Sequence, residues 1–226
     1  LFRSTKNIRI DVTVEGISNG MSWQCGLEFD YANEESFLCR PLRLPGYEEV
    51  QVSKAEFSGI PPQATDTSIA YLPPMSGLAD REFIKERGEI GFLIGQGQTA
   101  QVLRNLCYQV FSQEDKVAWK RIVKHIHDLF GVSLSDPVYI PERGEITMHY
   151  KEGEAPLDLS SAGRGLQQTL LLMAHLYANP KTVLLIDEPD AHLEILRQRQ
   201  VYQLLTDVAD QQGSQIVAAS HSEIVL

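Results

Sequence analysis

Three short stretches hold the residues whose types and spacing could do chemistry. In "VLLIDEPDAHLE" (183–194) an apolar run ends in Asp187 and Glu188, two adjacent carboxylates. Like charges side by side repel and burial penalises each, so either solvent or a cation must make the pair tolerable. In "QIVAASHS" (215–222) Ser220 and His221 close a second apolar run. In "LSSAGRGLQQ" (159–168) Ser160 and Ser161, then Ala162, Gly163, Arg164 and Gly165, open a long apolar helix. A helix start with a serine hydroxyl and bare amides attracts an anion, and the small residues let a phosphate come close. Arg164 adds charge there or pairs on the surface.

A magnesium ion carried on ATP phosphates would account for the carboxylate pair. Asp187 could hold the ion directly or through water, and Glu188 could polarise the water that attacks the γ-phosphate. His221 could hydrogen-bond that phosphate or that water. Each stretch also has a plainer reading: a solvated strand-to-helix turn with Asp as a cap, a surface histidine, and a Ser-capped helix. The three together, in this order, are far more specific than any one.

Such residues need elements to position them. Residues 6–43 alternate in strand fashion with turn formers at Ser18-Asn19-Gly20, which predicts an antiparallel β arm. "TSIAYLPP" (67–74) is a further short strand stopped by Pro73-Pro74. Helical spacing of Val102, Leu103, Leu106 and Val110, and of Trp119, Ile122, Ile126 and Leu129, predicts two helices in the middle, the second opened by Ser112-x-x-Asp115 and closed by Gly131. "PVYIPERGEITMHY" (137–150) reads as a hairpin turning at Glu142-Arg143-Gly144. Strand and helix then alternate. A helix from near Ser160/Ser161, the buried strand "TVLLID", a long helix with Leu193, Leu196, Val201, Leu204, Leu205 and Val208 inward, and the buried strand "QIVAAS" make a βαβ unit with a parallel sheet. In parallel sheets, ligands sit at the carboxyl ends of the strands, where Asp187 and Ser220 fall.

The chain has 226 residues, 43% hydrophobic and 22% charged, enough for one large domain or two lobes. No apolar run reaches the roughly 20 residues that span a bilayer, so no membrane partner is expected. Cys25, Cys39 and Cys107 are scattered without a zinc or disulfide spacing, which fits a reducing cytoplasm. The net charge of −10 means that any DNA or RNA contact needs a local patch or a partner chain. The run Lys116, Lys120, Arg121, Lys124 and the pair Arg197, Arg199 read as solvated helix faces.

With these motifs quoted, the sequence resembles ABC-type ATPase heads of the branch that includes SMC proteins, RecF and the OLD nucleases, with bacterial phage-defence ATPases. "LSSAG" is similar to the ABC signature, Ser161, Ala162 and Gly163 matching its serine-glycine-glycine core with alanine as a departure. "VLLIDEP" resembles Walker B, which makes Asp187 the magnesium position and Glu188 the catalytic glutamate. Asp190, Ala191, His192, Leu193 and Glu194 resemble the D-loop, and His221 the switch histidine. The likeness implies an α/β head with an antiparallel β arm (1–77), a helical lobe (78–135) and a parallel βαβ core (136–226). It implies ATP and Mg2+ as cofactors. It also implies a homodimer or higher oligomer in which the signature serine of one head meets the γ-phosphate held by the other.

A Walker A motif does not stand in the chain. "GFLIGQGQT" (91–99) has Gln98 where lysine is required, and Phe92 where the first glycine should be. The expectation is that this motif precedes Leu1 in a longer protein. No glutamine follows the strand in "IAYLPPMSG" (69–77), so no Q-loop is assigned. The resemblance implies an ATPase whose closing dimer gates a nuclease or toxin effector, with DNA or RNA involved. A transporter's nucleotide-binding subunit and an ATP-holding scaffold are the alternatives.

Overall fold

The computed structural model describes residues 9–18, 20–33, 36–42, 61–65 and 67–222. The chain divides into two compact units, Leu1–Thr67 and Ser68–Leu226.

The first unit contains a three-stranded antiparallel sheet, β1 (Arg9–Ser18), β2 (Met21–Asn33) and β3 (Ser36–Pro41), followed by the short helix α1 (Pro62–Thr65). The predicted β arm is present. Ile10 pairs with Phe29 and Val12 with Leu27, so one face is apolar. The other face carries an ion-pair network in which Glu28, nearly buried, receives both Arg9 and Arg40, while Asp11 takes Arg9 and Asp30 takes Arg40.

The second unit begins with β4 (Ser68–Leu72). Next come α2 (Arg87–Gly95), a 3₁₀ turn (Thr99–Gln101), α3 (Leu103–Phe111) and α4 (Val117–Phe130). Small antiparallel strands follow: β5 (Ser133–Leu134), β6 (Val138–Ile140), β7 (Glu145–Thr147), β8 (His149–Glu152) and β9 (Ala155–Asp158). Strands β6 and β7 are the predicted hairpin, and Gly144 supplies its positive φ of 63°. A second 3₁₀ turn (Leu159–Ser161) leads to α5 (Arg164–Ala178), and the chain ends in β10 (Thr182–Asp187), α6 (Ile195–Gln212) and β11 (Gln215–Ala219).

Strands β11, β10 and β4 form a parallel sheet in that order. The sequence reading groups β4 with the arm, but Val183 pairs with Ile69 and Leu185 with Tyr71. Five residues of strand pattern do not say which sheet a strand will join.

Helix α5 is the centre of the core. Every residue from Gly165 to Tyr177 is buried. A helix apolar on most sides has no solvent face to offer, so α3, α4 and α6 pack around it. Leu103, Leu106 and Val110 of α3, and Trp119, Ile122 and Ile126 of α4, are buried as their spacing predicts. On β10, Leu184 and Ile186 are fully buried on one face, while Val183 and Leu185 are half-buried on the other.

Two burial expectations are corrected. Strand β11 is not buried: it is an edge strand, and Val217 is 58% exposed on the same face as exposed Ile69 and Tyr71. Leu196 is not inward: it is 83% exposed, because α6 begins only at Ile195 and its inward stripe starts at Val201.

Candidate functional site

The site is built where β10 and β11 end. The Glu188 amide donates to the Ala219 carbonyl at 2.8 Å, so the ladder between the two strands runs one residue past Asp187. Glu188 then turns the chain with a φ of +44°, and His192 does the same at +67°. Left-handed backbone costs a residue with a Cβ about 1–2 kcal/mol, so these positions are held by their surroundings. The Ala191 amide donates to the Glu188 carbonyl at 2.9 Å and the Leu193 amide to the Asp190 carbonyl at 3.0 Å, which folds Asp190–Glu194 into a compact turn.

His221 and Glu188 meet across the strand ends, with Nε2 3.7 Å from Oε1. Both side chains are open to solvent, the imidazole almost fully. Half-buried Asp187, which precedes Glu188 on β10 and pairs with Ala219, has no side-chain hydrogen-bond or ion-pair partner among the described residues. No group of three or more His, Cys, Asp or Glu able to hold a metal ion occurs among the described residues. Magnesium does not need such a cage: it keeps its waters and binds one or two carboxylates plus substrate phosphates. A single strand-end carboxylate such as Asp187 is compatible with that mode of binding.

The signature-like turn stands beside this segment. Its helix does not start at Ser160/Ser161 as predicted: those residues form a 3₁₀ turn, and α5 begins at Arg164 with Gly163 as its N-cap. The Ser160 hydroxyl does not cap α5. Asp158 Oδ1 accepts from the Ser160 hydroxyl at 2.7 Å and from its amide at 2.8 Å. No side chain caps α5; the exposed Arg164 carries an amide without a hydrogen-bond partner among the described residues, while the Leu166 amide donates to the Gly163 carbonyl at 3.0 Å. Ser161, Gly163 and Arg164 are exposed and Ala162 is buried.

The two glycines have different surroundings. A Cβ at Gly163 would meet nothing within 4 Å. A Cβ at Gly165 would lie 2.6 Å from Leu193 Cδ2 and 2.9 Å from the His192 carbonyl oxygen. Gly165 is thus the point where the D-loop-like segment lies against α5, and the close approach there is made by the chain itself.

Four residues that the sequence reading did not single out hold this arrangement. Gln167 Nε2 reaches the carbonyls of Leu159, Ser160 and Ala162 at 3.0–3.2 Å, pinning the 3₁₀ turn to the helix. Gln168 Oε1 accepts from the Met75 amide at 2.7 Å and so fixes the loop after β4. Arg104, 1% exposed, donates to Asp158 at 2.8 Å and to the Ala79 carbonyl at 2.7 Å. Glu82, buried, accepts from the amides of Arg104 and Asn105 at the start of α3. Burial pushes the Asp158 carboxyl up, but the Ser160 hydroxyl and amide and the Arg104 guanidinium outweigh it, and the carboxyl ends below its ordinary value. The signal available was the polar pair Gln167-Gln168 inside an otherwise apolar helix, since buried amides are there to make hydrogen bonds.

Arg197 is also more than a solvated charge: it is half-buried, with its guanidinium 5.3 Å from the Phe130 ring centroid.

A parallel sheet with adjoining acidic and histidine strand ends and a central buried helix make up an AAA-type α/β domain whose fold is similar to that of SMC heads. Residues 109–226, just over half of the chain, match the family described as "AAA domain, putative AbiEii toxin, Type IV TA system", and the chain belongs to that family. Among solved structures it is similar to an SMC head bound to the C-terminal winged-helix domain of ScpA. That likeness has a TM-score of 0.52 at 13% identity, covering 96% of this chain and 67% of that one. An SMC head from Thermotoga maritima gives 0.44 at 18% identity over 95% of this chain and 65% of that one. An SMC head with coiled coil and joint from Pyrococcus yayanosii gives 0.40 at 19% identity over 59% of this chain and 26% of that one. The chain therefore spans from about a quarter to two thirds of these structures. Comparison with the curated proteins found no match. No helix among the described residues is long and apolar enough to cross a membrane.

Proposed function

We propose that this chain is part of an ATP-hydrolysing head that closes on a second head around ATP and so controls an effector. The observation that carries the reading is the Glu188–His221 juxtaposition at 3.7 Å on neighbouring parallel strand ends. Glu188 takes the proton of the attacking water, and its exposed carboxylate is free to do so. His221 donates a hydrogen bond to the γ-phosphate or orients that water. Asp187 would hold magnesium, which when bound neutralises phosphate charge. Ser161, Gly163 and Arg164 at the start of α5 offer an anion site that a nucleotide held by another head could use, flanked by Asp190–Glu194.

The family's description, with its putative toxin of a type IV toxin–antitoxin system, supports a toxin as the effector. The head itself carries a net charge of −10, so DNA or RNA would contact it through a local patch, a partner or an attached domain.

The test is ATP turnover by the full-length protein with and without linear duplex DNA, with Glu188→Gln as the blank. Turnover that rises with DNA and vanishes in the variant supports a nucleic-acid-sensing ATPase. Turnover indifferent to DNA moves the trigger to a protein. No turnover in either condition overturns the hydrolytic reading.

A further inference from the structure

The turn after Glu188 is tied to both serines that flank His221, and the ties are made by side chains. Asp190 Oδ1 accepts from the Ser220 hydroxyl at 2.7 Å and from the Tyr202 hydroxyl at 3.0 Å. Ser220 Oγ accepts from the Ser222 amide at 2.9 Å. The Ser222 hydroxyl donates to Gln198 Oε1 at 2.7 Å, and Gln198 Nε2 donates to the Leu193 carbonyl at 3.1 Å. These bonds form a closed circuit through residues 190–193, helix α6 and residues 220–222. His221 sits inside the circuit without joining it, its side chain 95% exposed.

We propose that Ser220, Ser222, Gln198 and Tyr202 are positioning residues for His221, which transmit any displacement of residues 190–193 to the imidazole. The inference rests on the reading of Glu188 and His221 as a hydrolytic pair. Its direction follows from donor arithmetic. Each hydroxyl has one proton to give: those of Ser220 and Tyr202 go to Asp190, and that of Ser222 goes to Gln198. An ionised acceptor makes the Asp190 bonds the strong ones. Burial pushes the Tyr202 hydroxyl up to about 12, so it stays a donor at neutral pH.

The other end of the circuit touches the signature-like turn. Leu193 and His192 lie against the Cα of Gly165, with no room for a methyl group between them. Whatever presses on the start of α5 or on residues 190–193 therefore acts on Leu193 and Asp190, then on Gln198 and Ser220, and finally on the backbone either side of His221. Occupation of the signature turn would in this way set whether the histidine faces Glu188.

The test uses the full-length protein with two readouts. The first is steady-state ATP turnover of Ser220→Ala and Gln198→Leu, each alone and combined with His221→Ala. Each single variant should lower kcat about tenfold, the lower end of what outer-shell partners contribute, with KM for ATP within about twofold. In the His221→Ala background neither should cause a further loss. Ser220→Thr, which keeps the hydroxyl, should restore the rate. The second readout is the ¹³Cε1 NMR resonance of His221, assigned by its absence in His221→Ala. It should move in Ser220→Ala and in Gln198→Leu. Equal losses in the His221→Ala background, or a resonance that stays in place, overturn the proposal. A wild-type protein without ATP turnover but with a resonance that moves overturns the hydrolytic reading and leaves the positioning circuit standing.

Discussion

Glu188 Oε1 and His221 Nε2 lie 3.7 Å apart although 33 positions separate them along the chain. The sheet brings them together: Asp187 pairs with Ala219, and the Glu188 amide extends the ladder by one bond. The left-handed turn at Glu188 then directs the chain away from the strand while its side chain stays at the strand end.

Glu188→Gln keeps the shape and removes the base. Turnover should fall by about 10²–10⁴-fold, while ATP affinity changes little. Equilibrium nucleotide binding measured beside steady-state turnover separates the two effects. A variant that turns over ATP near the wild-type rate would remove Glu188 from its role.

Ser161→Arg places bulk at an exposed position of a turn whose core contacts are made by Leu159 and Ala162. The fold should melt within a few degrees of wild type. Association of heads in the presence of a slowly hydrolysed ATP analogue, followed by sedimentation velocity, should be lost. Unchanged association would take Ser161 out of the interface between heads.

Gly165→Ala puts a methyl group into Leu193 and the His192 carbonyl. Overpacking of this kind costs about 1–3 kcal/mol, and the turn 190–193 must shift to accept it. Gly163→Ala meets open space and should be neutral for stability. Urea midpoints of the two variants compared side by side decide the matter.

His175 lies within the buried face of α5, and burial lowers its pKa to about 4. The sign follows from proton counting. Between the unfolded value near 6.5 and the folded value of about 4, the unfolded chain binds a proton that the folded chain does not. Stability contributed by the neutral imidazole is thus full above about pH 6.5 and is lost as the pH falls toward 4, by up to about 3 kcal/mol. His175→Leu should flatten the dependence of the urea midpoint on pH across this window. An unchanged slope would mean that His175 is not the group responsible.

Leu196 and Leu205 lie on the same helix with opposite surroundings, 83% and 1% exposed. Leu205→Ala should cost about 2–5 kcal/mol through the cavity it leaves. Leu196→Ala should stay within about 0.5 kcal/mol of wild type. Chemical denaturation of both variants checks the assignment.

Much of this was legible along the chain. The periodicity of Leu103–Val110 and Trp119–Ile126, the hairpin at Gly144 and the strand–helix alternation after residue 160 each follow from local pattern, because 3.6- and 2-residue repeats report which side of an element faces apolar neighbours. The candidate residues Asp187, Glu188, His221 and 161–165 stand out through the order of their three motifs, since each alone also has a plainer reading. Other features depend on partners distant in sequence. That β4 joins β10, that Leu196 faces solvent, that Ser160 is committed to Asp158 while the start of α5 stays uncapped, and that Gly165 is small for the sake of Leu193 are all decided by contacts between elements. The same holds for the circuit from Asp190 through Ser220, Ser222 and Gln198. Local sequence sets the propensity and the periodicity of each element, whereas register, edge position and the destination of each buried hydrogen bond are settled only when the elements pack, because those energies belong to pairs of residues and not to either one alone.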